Sequence, residues 1–110
     1  MMKALVLNSV GNIKVKQVEI PDLIPGWVRI KVRAAGVCGS DIPRIYETGA
    51  HKMPLIIGHE FAGVVDALGP QVPDHWLKKR VGVYPLIPCM KCESCKNGHY
   101  EACNNYDYVL

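Results

Sequence analysis

Four cysteines crowd into one short segment near the C-terminal end of the sequence, and this cluster constrains the chain more than any other feature. The segment reads PCMKCESCKNGHYEAC at residues 88–103, and its spacing is Cys-x2-Cys-x2-Cys-x7-Cys: Cys89, Cys92, Cys95 and Cys103. Spacing this tight lets a single irregular loop surround one tetrahedral ion. The loop is rich in Lys, Asn and Gly, so we expect a bound metal to stabilise it in place of a hydrophobic core.

Zinc is the leading candidate for this ion. Four thiolates saturate a tetrahedral zinc and leave no position for a substrate, which indicates a structural role. Free surface thiols are disfavoured because exposed, clustered cysteines oxidise readily. An iron–sulfur cluster stays open as the rival. The ferredoxin run begins with the same Cys-x2-Cys-x2-Cys spacing, but it closes with three intervening residues and a Cys-Pro, whereas here Cys103 follows seven residues and precedes Asn104.

Composition limits the class of protein and the compartment. The residues are 49% apolar and 21% charged, which is ordinary for one globular domain of 110 residues. No apolar stretch could span a bilayer and no N-terminal signal is evident, so we expect a cytoplasmic protein without a membrane partner. A reducing compartment favours metal ligands over disulfides. The net charge of +3 is small and scattered, and we expect no nucleic-acid partner.

Apolar and polar residues mostly alternate, as in half-buried strands. In WVRIKVRAAG, residues 27–36, the apolar side chains from Val28 to Ala34 fall on one face. KALVLN and NIKVKQVEI read as a hairpin joined at Gly11-Asn12, and EFAGVVDALG and KRVGVYP as further strands. Many short strands between Gly and Pro residues predict a mainly β antiparallel barrel or sandwich.

One segment, SDIPRIYETG, has the features of a short helix. Ser40 can cap its first turn, Pro43 is tolerated in that turn, and Gly49 can end it. Arg44 within this helix leaves two interpretations open. Its guanidinium could pair with a substrate phosphate, or it could form an ion pair at the helix end.

A second constellation combines GVCGSD, residues 36–41, with GHE, residues 58–60. A Cys38 thiolate and a His59 imidazole are two of the three protein ligands that a catalytic zinc takes, while its fourth position stays open for water or substrate. Glycines on either side of Cys38 leave room for close approach. The pair alone is weak evidence, because a single cysteine is more often a small buried hydrophobe and a single histidine a surface residue.

Taken together, AAGVCGSD, PLIIGHEFAGVV and PCMKCESCKNGHYEAC, in this order, resemble the N-terminal, GroES-like catalytic domain of the zinc-dependent medium-chain alcohol and polyol dehydrogenases. The resemblance spans essentially all 110 residues. It implies a GroES-like antiparallel barrel with short helices and a structural-zinc lobe at residues 85–105. It also implies oxidation of a polyol or sugar-alcohol phosphate by hydride transfer to NAD or NADP, with zinc as Lewis acid. The parent enzyme is expected to be a homodimer or homotetramer.

The resemblance also implies roles for individual residues. Cys38 and His59 match the catalytic zinc ligands, and Glu60 matches the acid that ligates or approaches the ion. Ser40 matches the hydroxyl that relays the proton of the alcohol. Asp41 matches a carboxylate near the histidine, which would fix the imidazole tautomer. The cysteines of residues 88–103 match the structural-zinc ligands.

The sequence departs from the family pattern in its cofactor-binding part. None of its ten glycines forms the Gly-x-Gly-x-x-Gly turn of a Rossmann domain, and the third catalytic ligand of the family is expected beyond Leu110. We therefore expect residues 1–110 to be an incomplete catalytic domain without its downstream Rossmann domain, inactive in hydride transfer by itself. The alternative is a non-catalytic, zinc-stapled barrel module for protein assembly, which needs no second metal.

Overall fold

A computed structural model describes residues 1–108 of the chain, and strands dominate it. The strands are β1 (Met2–Ser9), β2 (Asn12–Val18), β3 (Val28–Gly36), β4 (Leu55–Ile56), β5 (Glu60–Leu68), β6 (Arg80–Gly82), β7 (Leu86–Ile87) and β8 (Asp107–Tyr108). The helices are α1 (Asp41–Pro43), which continues as a π-helical segment (Arg44–Thr48), and α2 (Glu93–Lys96). Single 3-10 turns occupy Asp74–Trp76 and Tyr100–Ala102. The predicted mainly β class with short helices is confirmed.

All strand pairs are antiparallel, as predicted. They form a three-stranded sheet in the order β2-β1-β4, a second in the order β3-β5-β6, and the pair β7-β8. The predicted hairpin is present, but Ser9 pairs with Asn12, so the turn residues are Val10 and Gly11. Gly11 has a φ of +75°, a left-handed conformation that glycine adopts without steric cost.

The β3–β5 ladder contains two bulges that compensate each other. Asp66 of β5 is skipped between the pairs of Arg29 and Ile30, and Arg33 of β3 is skipped between the pairs of its neighbours. Asp66 accepts a hydrogen bond of 3.0 Å from Arg29 Nε. One extra residue on each strand restores the original register, so the ladder ends with Gly36 paired to Glu60.

The predicted buried face of β3 extends only part of the way along the strand. Val28 and Ile30 are half-buried, whereas Val32 is 52% exposed and Ala34 is also exposed. This part of the prediction was wrong for two physical reasons. The bulge at Arg33 interrupts the alternation of faces, and no element within residues 1–108 packs extensively on that end of β3 apart from its neighbour β5.

The core is small, and its buried aliphatic residues come from β1, β4, β5 and the π-helical segment. Leu7 pairs with Leu55 in the first sheet, and both are buried together with Val6, Ile45 and Val65. Leu7 and Val65 are fully enclosed.

The segment between β3 and β4 folds as the predicted helical turn, with one correction. Ser40 occupies the N-cap position, but its backbone is already helical and its side chain makes no capping hydrogen bond. The predicted cap was therefore wrong, because the hydroxyl accepts a bond from the first turn only when the backbone there is extended. Pro43 lies in the first turn and Gly49, at φ +78°, ends the segment, as predicted.

No helix among residues 1–108 has both the length and the apolar character needed to cross a bilayer.

Candidate metal centres

The four clustered cysteines converge on one point at the C-terminal end of the structure. Strands β7 and β8 pair with each other and bring together the two ends of the segment that contains the cysteines. Cys92 immediately precedes α2, Cys95 lies within it, and Cys103 follows a 3-10 turn. The four sulfur atoms all lie within 4.8 Å of one another. The predicted convergence of these residues is therefore what the structure shows.

The sulfur–sulfur distances fit a tetrahedral ion. Cys89 Sγ lies 3.9 Å from Cys95 Sγ, and Cys92 Sγ lies 4.0 Å from Cys103 Sγ. A tetrahedron with zinc–sulfur bonds of about 2.3 Å has edges of about 3.8 Å, whereas a disulfide needs about 2.05 Å. All four cysteines are free. The spacing is therefore that of ligands around a metal and not that of paired disulfides.

Backbone amides point at the sulfurs, as expected for groups that carry negative charge. Cys89 Sγ accepts from the N–H groups of Lys91 (3.4 Å) and Cys92 (3.3 Å). Cys103 Sγ accepts from the N–H groups of Cys89 (3.3 Å) and Asn105 (3.4 Å). These donors favour the thiolate over the thiol, and the thiolate is the form that binds a metal.

The thiol pKa values diverge within the cluster. Backbone N–H groups of Asn104 and Cys95 lower the pKa of Cys92 to about 6, and those of Lys91 and Cys92 lower the pKa of Cys89. Burial raises the pKa of Cys95 to about 12. Part of the cluster is thus readily ionised, while the buried thiol needs a cation beside it to lose its proton.

A second, smaller group of ligand atoms forms where the β3–β5 ladder ends. Gly36 pairs with Glu60 at that end, which brings the loop holding Cys38 beside the start of β5. Gly58, with φ +107°, turns the chain just before His59. The ligand atoms of Cys38, His59 and Glu60 lie within 4.8 Å of one another. Cys38 is distant in sequence from His59 and Glu60, and the register of the β3–β5 ladder brings it beside them.

Glycine at position 36 makes room for the carboxylate of this group. A Cβ atom at residue 36 would lie 3.0 Å from Glu60 Oε2, closer than ordinary van der Waals contact. A Cβ atom at Gly39, by contrast, would meet nothing within 4 Å. The predicted close approach next to Cys38 thus applies to Gly36 alone.

Asp41 is the buried hub beneath this three-residue group, with only 2% of its surface exposed. Its Oδ2 accepts a 2.9 Å hydrogen bond from the backbone N–H of Cys38. Its Oδ1 lies 3.2 Å from Arg44 Nη1 and 3.6 Å from His59 Nδ1. His59 Nδ1 is buried and makes no hydrogen bond. With Nδ1 directed to a carboxylate, the other ring nitrogen, Nε2, is the one left for a metal.

Two more residues of the sequence prediction have defined places. Ser40 is exposed in the loop between Cys38 and α1. Arg44 forms an ion pair with Asp41. Of the two interpretations of Arg44, a partner for a substrate phosphate or an ion pair of the helix, the structure shows the ion pair. Its connection to the histidine through Asp41 was missed from sequence. The only signal was the three-residue spacing of Asp41 and Arg44, which places both side chains on one helix face.

The donor types of the two groups suit different metal roles. Four cysteines would occupy all four coordination positions of a tetrahedral zinc ion. A thiolate, an imidazole and an exposed carboxylate form a set of three that leaves a fourth position for an exchangeable ligand. Both groups fit zinc by donor type and spacing.

Comparisons of the sequence and of the structure with known proteins both match the chain to alcohol and polyol dehydrogenases. Residues 24–109 match the family described as Alcohol dehydrogenase GroES-like domain. The chain is 40% identical over 109 residues to galactitol 1-phosphate 5-dehydrogenase of Escherichia coli strain K12, covering 98% of this chain and 32% of that protein. It is 37% identical over 113 residues to sorbitol dehydrogenase of Bacillus subtilis strain 168, again covering 98% and 32%.

Solved structures agree. The crystal structure of galactitol-1-phosphate dehydrogenase from Escherichia coli superimposes with a TM-score of 0.90 at 40% identity, covering 98% of this chain and 32% of that one. A short chain alcohol dehydrogenase from Escherichia coli CFT073, complexed with NADH, gives 0.86 at 38% identity with the same coverage. The chain thus spans about a third of the length of the relatives it matches.

Proposed function

Because this chain belongs to the alcohol dehydrogenase GroES-like family, we propose that it is the metal-bearing catalytic domain of a zinc-dependent, NAD(P)-dependent dehydrogenase. The proposed substrates are polyols or sugar-alcohol phosphates, as in galactitol 1-phosphate 5-dehydrogenase and sorbitol dehydrogenase, the names of two of its relatives. The observation that carries the proposal is the convergence of Cys38, His59 and Glu60, since a purely structural module needs only the four-cysteine group.

The two groups are proposed to have separate tasks. Cys89, Cys92, Cys95 and Cys103 would hold a structural zinc that stabilises the lobe at residues 85–105. Cys38, His59 and Glu60 would hold a catalytic zinc. When bound there, zinc would supply Lewis-acid chemistry and lower the pKa of a substrate hydroxyl.

The remaining steps are proposed for side chains of this chain. The exposed Ser40 hydroxyl, next to the Cys38 loop, would accept the proton of the substrate alcohol and pass it to solvent. Asp41 would keep the His59 ring oriented with Nε2 toward the metal. Glu60 lies at an exposed position, where its carboxylate could exchange with water as a ligand.

The hydride acceptor is proposed to be NAD or NADP, held by a Rossmann domain outside these residues. Two observations support this proposal: the 110 residues contain no Gly-x-Gly-x-x-Gly turn, and the short chain alcohol dehydrogenase was solved with NADH. The 110-residue chain alone is accordingly expected to oxidise no polyol. NAD(P)-dependent turnover by this chain would contradict that assignment of the cofactor site.

Metal stoichiometry tests the proposal. The chain is loaded with zinc, freed of loosely bound metal, and its zinc content is measured by mass spectrometry. Two zinc ions per chain are expected, falling to one in Cys38→Ser and His59→Ala. A single ion in the unaltered chain would favour the non-catalytic, zinc-stapled assembly module instead. Two ions that both survive the Cys38→Ser substitution would overturn the assigned ligands.

A further inference from the structure

We propose that Arg44 is a positioning residue for the Cys38/His59/Glu60 group, acting through Asp41. This inference rests on the proposed function, because it concerns how that group is kept ready for a metal. It assigns Arg44 a task unrelated to binding a substrate phosphate.

First, the Asp41 carboxylate is held in place by its neighbours. Both oxygens are engaged: Oδ2 accepts from the Cys38 N–H at 2.9 Å, and Oδ1 lies 3.2 Å from Arg44 Nη1. Rotation of the carboxylate would therefore break two contacts at once. With the carboxylate held at both oxygens, Oδ1 stays directed at His59 Nδ1, 3.6 Å away.

The second step is charge. A carboxylate with 2% of its surface exposed has lost most of its hydration, and burying it is costly unless a cation pairs with it. Within residues 1–108, the basic side chains that lie within 4 Å of the Asp41 carboxylate are Arg44 and His59. Arg44 is always charged, whereas a histidine that binds a metal must be neutral. The permanent counter-charge of Asp41 is therefore Arg44.

The third step is the histidine. Its Nδ1 is buried, makes no hydrogen bond, and lies 3.6 Å from Asp41 Oδ1. A proton on Nδ1, facing Asp41, leaves the lone pair on Nε2 for the metal. Without Arg44, the carboxylate would be held at Oδ2 alone, and both the tautomer and the ring orientation of His59 would be less well defined.

The test measures metal affinity and tautomer, and needs no enzymatic turnover. One equivalent of zinc first fills the four-cysteine group of the 110-residue chain. Cobalt(II) is then added, and its d–d and thiolate charge-transfer bands report binding to the second group. Arg44→Met is expected to weaken cobalt binding there by roughly tenfold to a hundredfold, the range for partners that orient metal ligands, while zinc affinity of the four cysteines is unchanged.

Control variants separate the effect of the Arg44 charge from the effects of losing any arginine or of misfolding. Arg44→Lys keeps the charge and is expected to regain most of the lost affinity. Arg80→Met removes an exposed arginine of β6 and should behave like the unaltered chain. Arg44→Gln, which keeps much of the stem, replaces Arg44→Met if that variant does not fold, as judged by zinc binding at the four cysteines. In addition, nitrogen chemical shifts of His59 should show one tautomer in the unaltered chain and a mixture in the neutral variants.

The outcomes are distinguishable. If the unaltered chain binds no cobalt at the second group, the proposal that Cys38, His59 and Glu60 hold a metal within these residues fails. If it binds cobalt, but the neutral variants match it in affinity and in the His59 tautomer, the inference about Arg44 is overturned and the proposed function stands. Equal losses in Arg44→Lys and Arg44→Met would overturn the role given to the charge.

Discussion

Asp41 and Cys38 hold each other in a reciprocal pair of hydrogen bonds. The backbone N–H of Asp41 donates to the carbonyl of Cys38 over 3.0 Å, and the backbone N–H of Cys38 donates to Asp41 Oδ2 over 2.9 Å. Neither bond involves the Cys38 sulfur. The two bonds therefore hold the backbone of the loop without using the thiol, which stays available to bind a metal.

This arrangement leads to a prediction about the two metal groups. Cys38→Ser is expected to cost the chain one zinc while its fold survives. Cys92→Ser is expected to unfold the lobe at residues 85–105, because metal binding energy there is folding energy. Zinc content and limited proteolysis measure the two effects. A Cys92→Ser chain whose lobe resists protease as well as the unaltered chain does would refute the structural role of the cysteines.

Gly36 provides a prediction about the position of Glu60. A Cβ atom at residue 36 would lie 3.0 Å from Glu60 Oε2, and moving that carboxylate off its rotamer costs about 0.5–1.5 kcal/mol. Gly36→Ala should therefore weaken cobalt binding at the three-residue group by roughly twofold to tenfold. Gly39→Ala is the matched control, because its Cβ atom would meet nothing within 4 Å. Equal affinities of the two variants would show that the position of the Glu60 carboxylate does not depend on the glycine at residue 36.

Gly63 provides a stability prediction for the β3–β5 ladder. A Cβ atom there would lie 2.2 Å from the backbone oxygen of Lys31, and a backbone atom cannot move aside without disturbing the sheet. Gly63→Ala is expected to lower the free energy of unfolding by roughly 2–3 kcal/mol, the upper part of the range for overpacking. Urea denaturation measures the change, and Gly82→Ala in β6, with open space at its Cβ position, should be nearly neutral.

Leu7 provides a prediction for the core. Its side chain is fully buried, whereas Leu5 in the same strand is 45% exposed. Leu7→Ala should cost roughly 2–5 kcal/mol, the range for a buried leucine that leaves a cavity. Leu5→Ala should cost clearly less. If urea denaturation gave both variants the same midpoint, the core would not be centred on β1 and β4 as described.

The four-cysteine group could be proposed from the sequence because the spacing from Cys89 to Cys103 is a local signal that depends on residue type. The pairing of Cys38 with His59 was weak evidence by itself and was proposed through the family resemblance. The helical turn was placed correctly by Pro43 and Gly49, whose backbone preferences are strong. The capping role given to Ser40 was wrong because it depends on one dihedral angle, which several neighbouring contacts determine together.

Contacts between distant residues could not be predicted from one sequence. The bulges at Arg33 and Asp66 leave no local pattern, because each depends on how a strand fits its partner. The role of Asp41 as a hub was reached only through family resemblance. The ion pair with Arg44 and the room that Gly36 leaves for Glu60 emerge only when the ladder is assembled.

The two compensating bulges have a consequence for how this sequence can change. Because Arg33 is the unpaired residue of its bulge, deleting it would remove the bulge and leave Gly36 paired with Glu60. A deletion that no bulge absorbs would instead shift the loop after β3 by one step, about 3.3 Å, relative to the start of β5, and would exchange the faces of the strand, so that Cys38 would no longer face His59. The bulges are therefore the positions at which these strands can change length without displacing a metal centre built from remote parts of the chain.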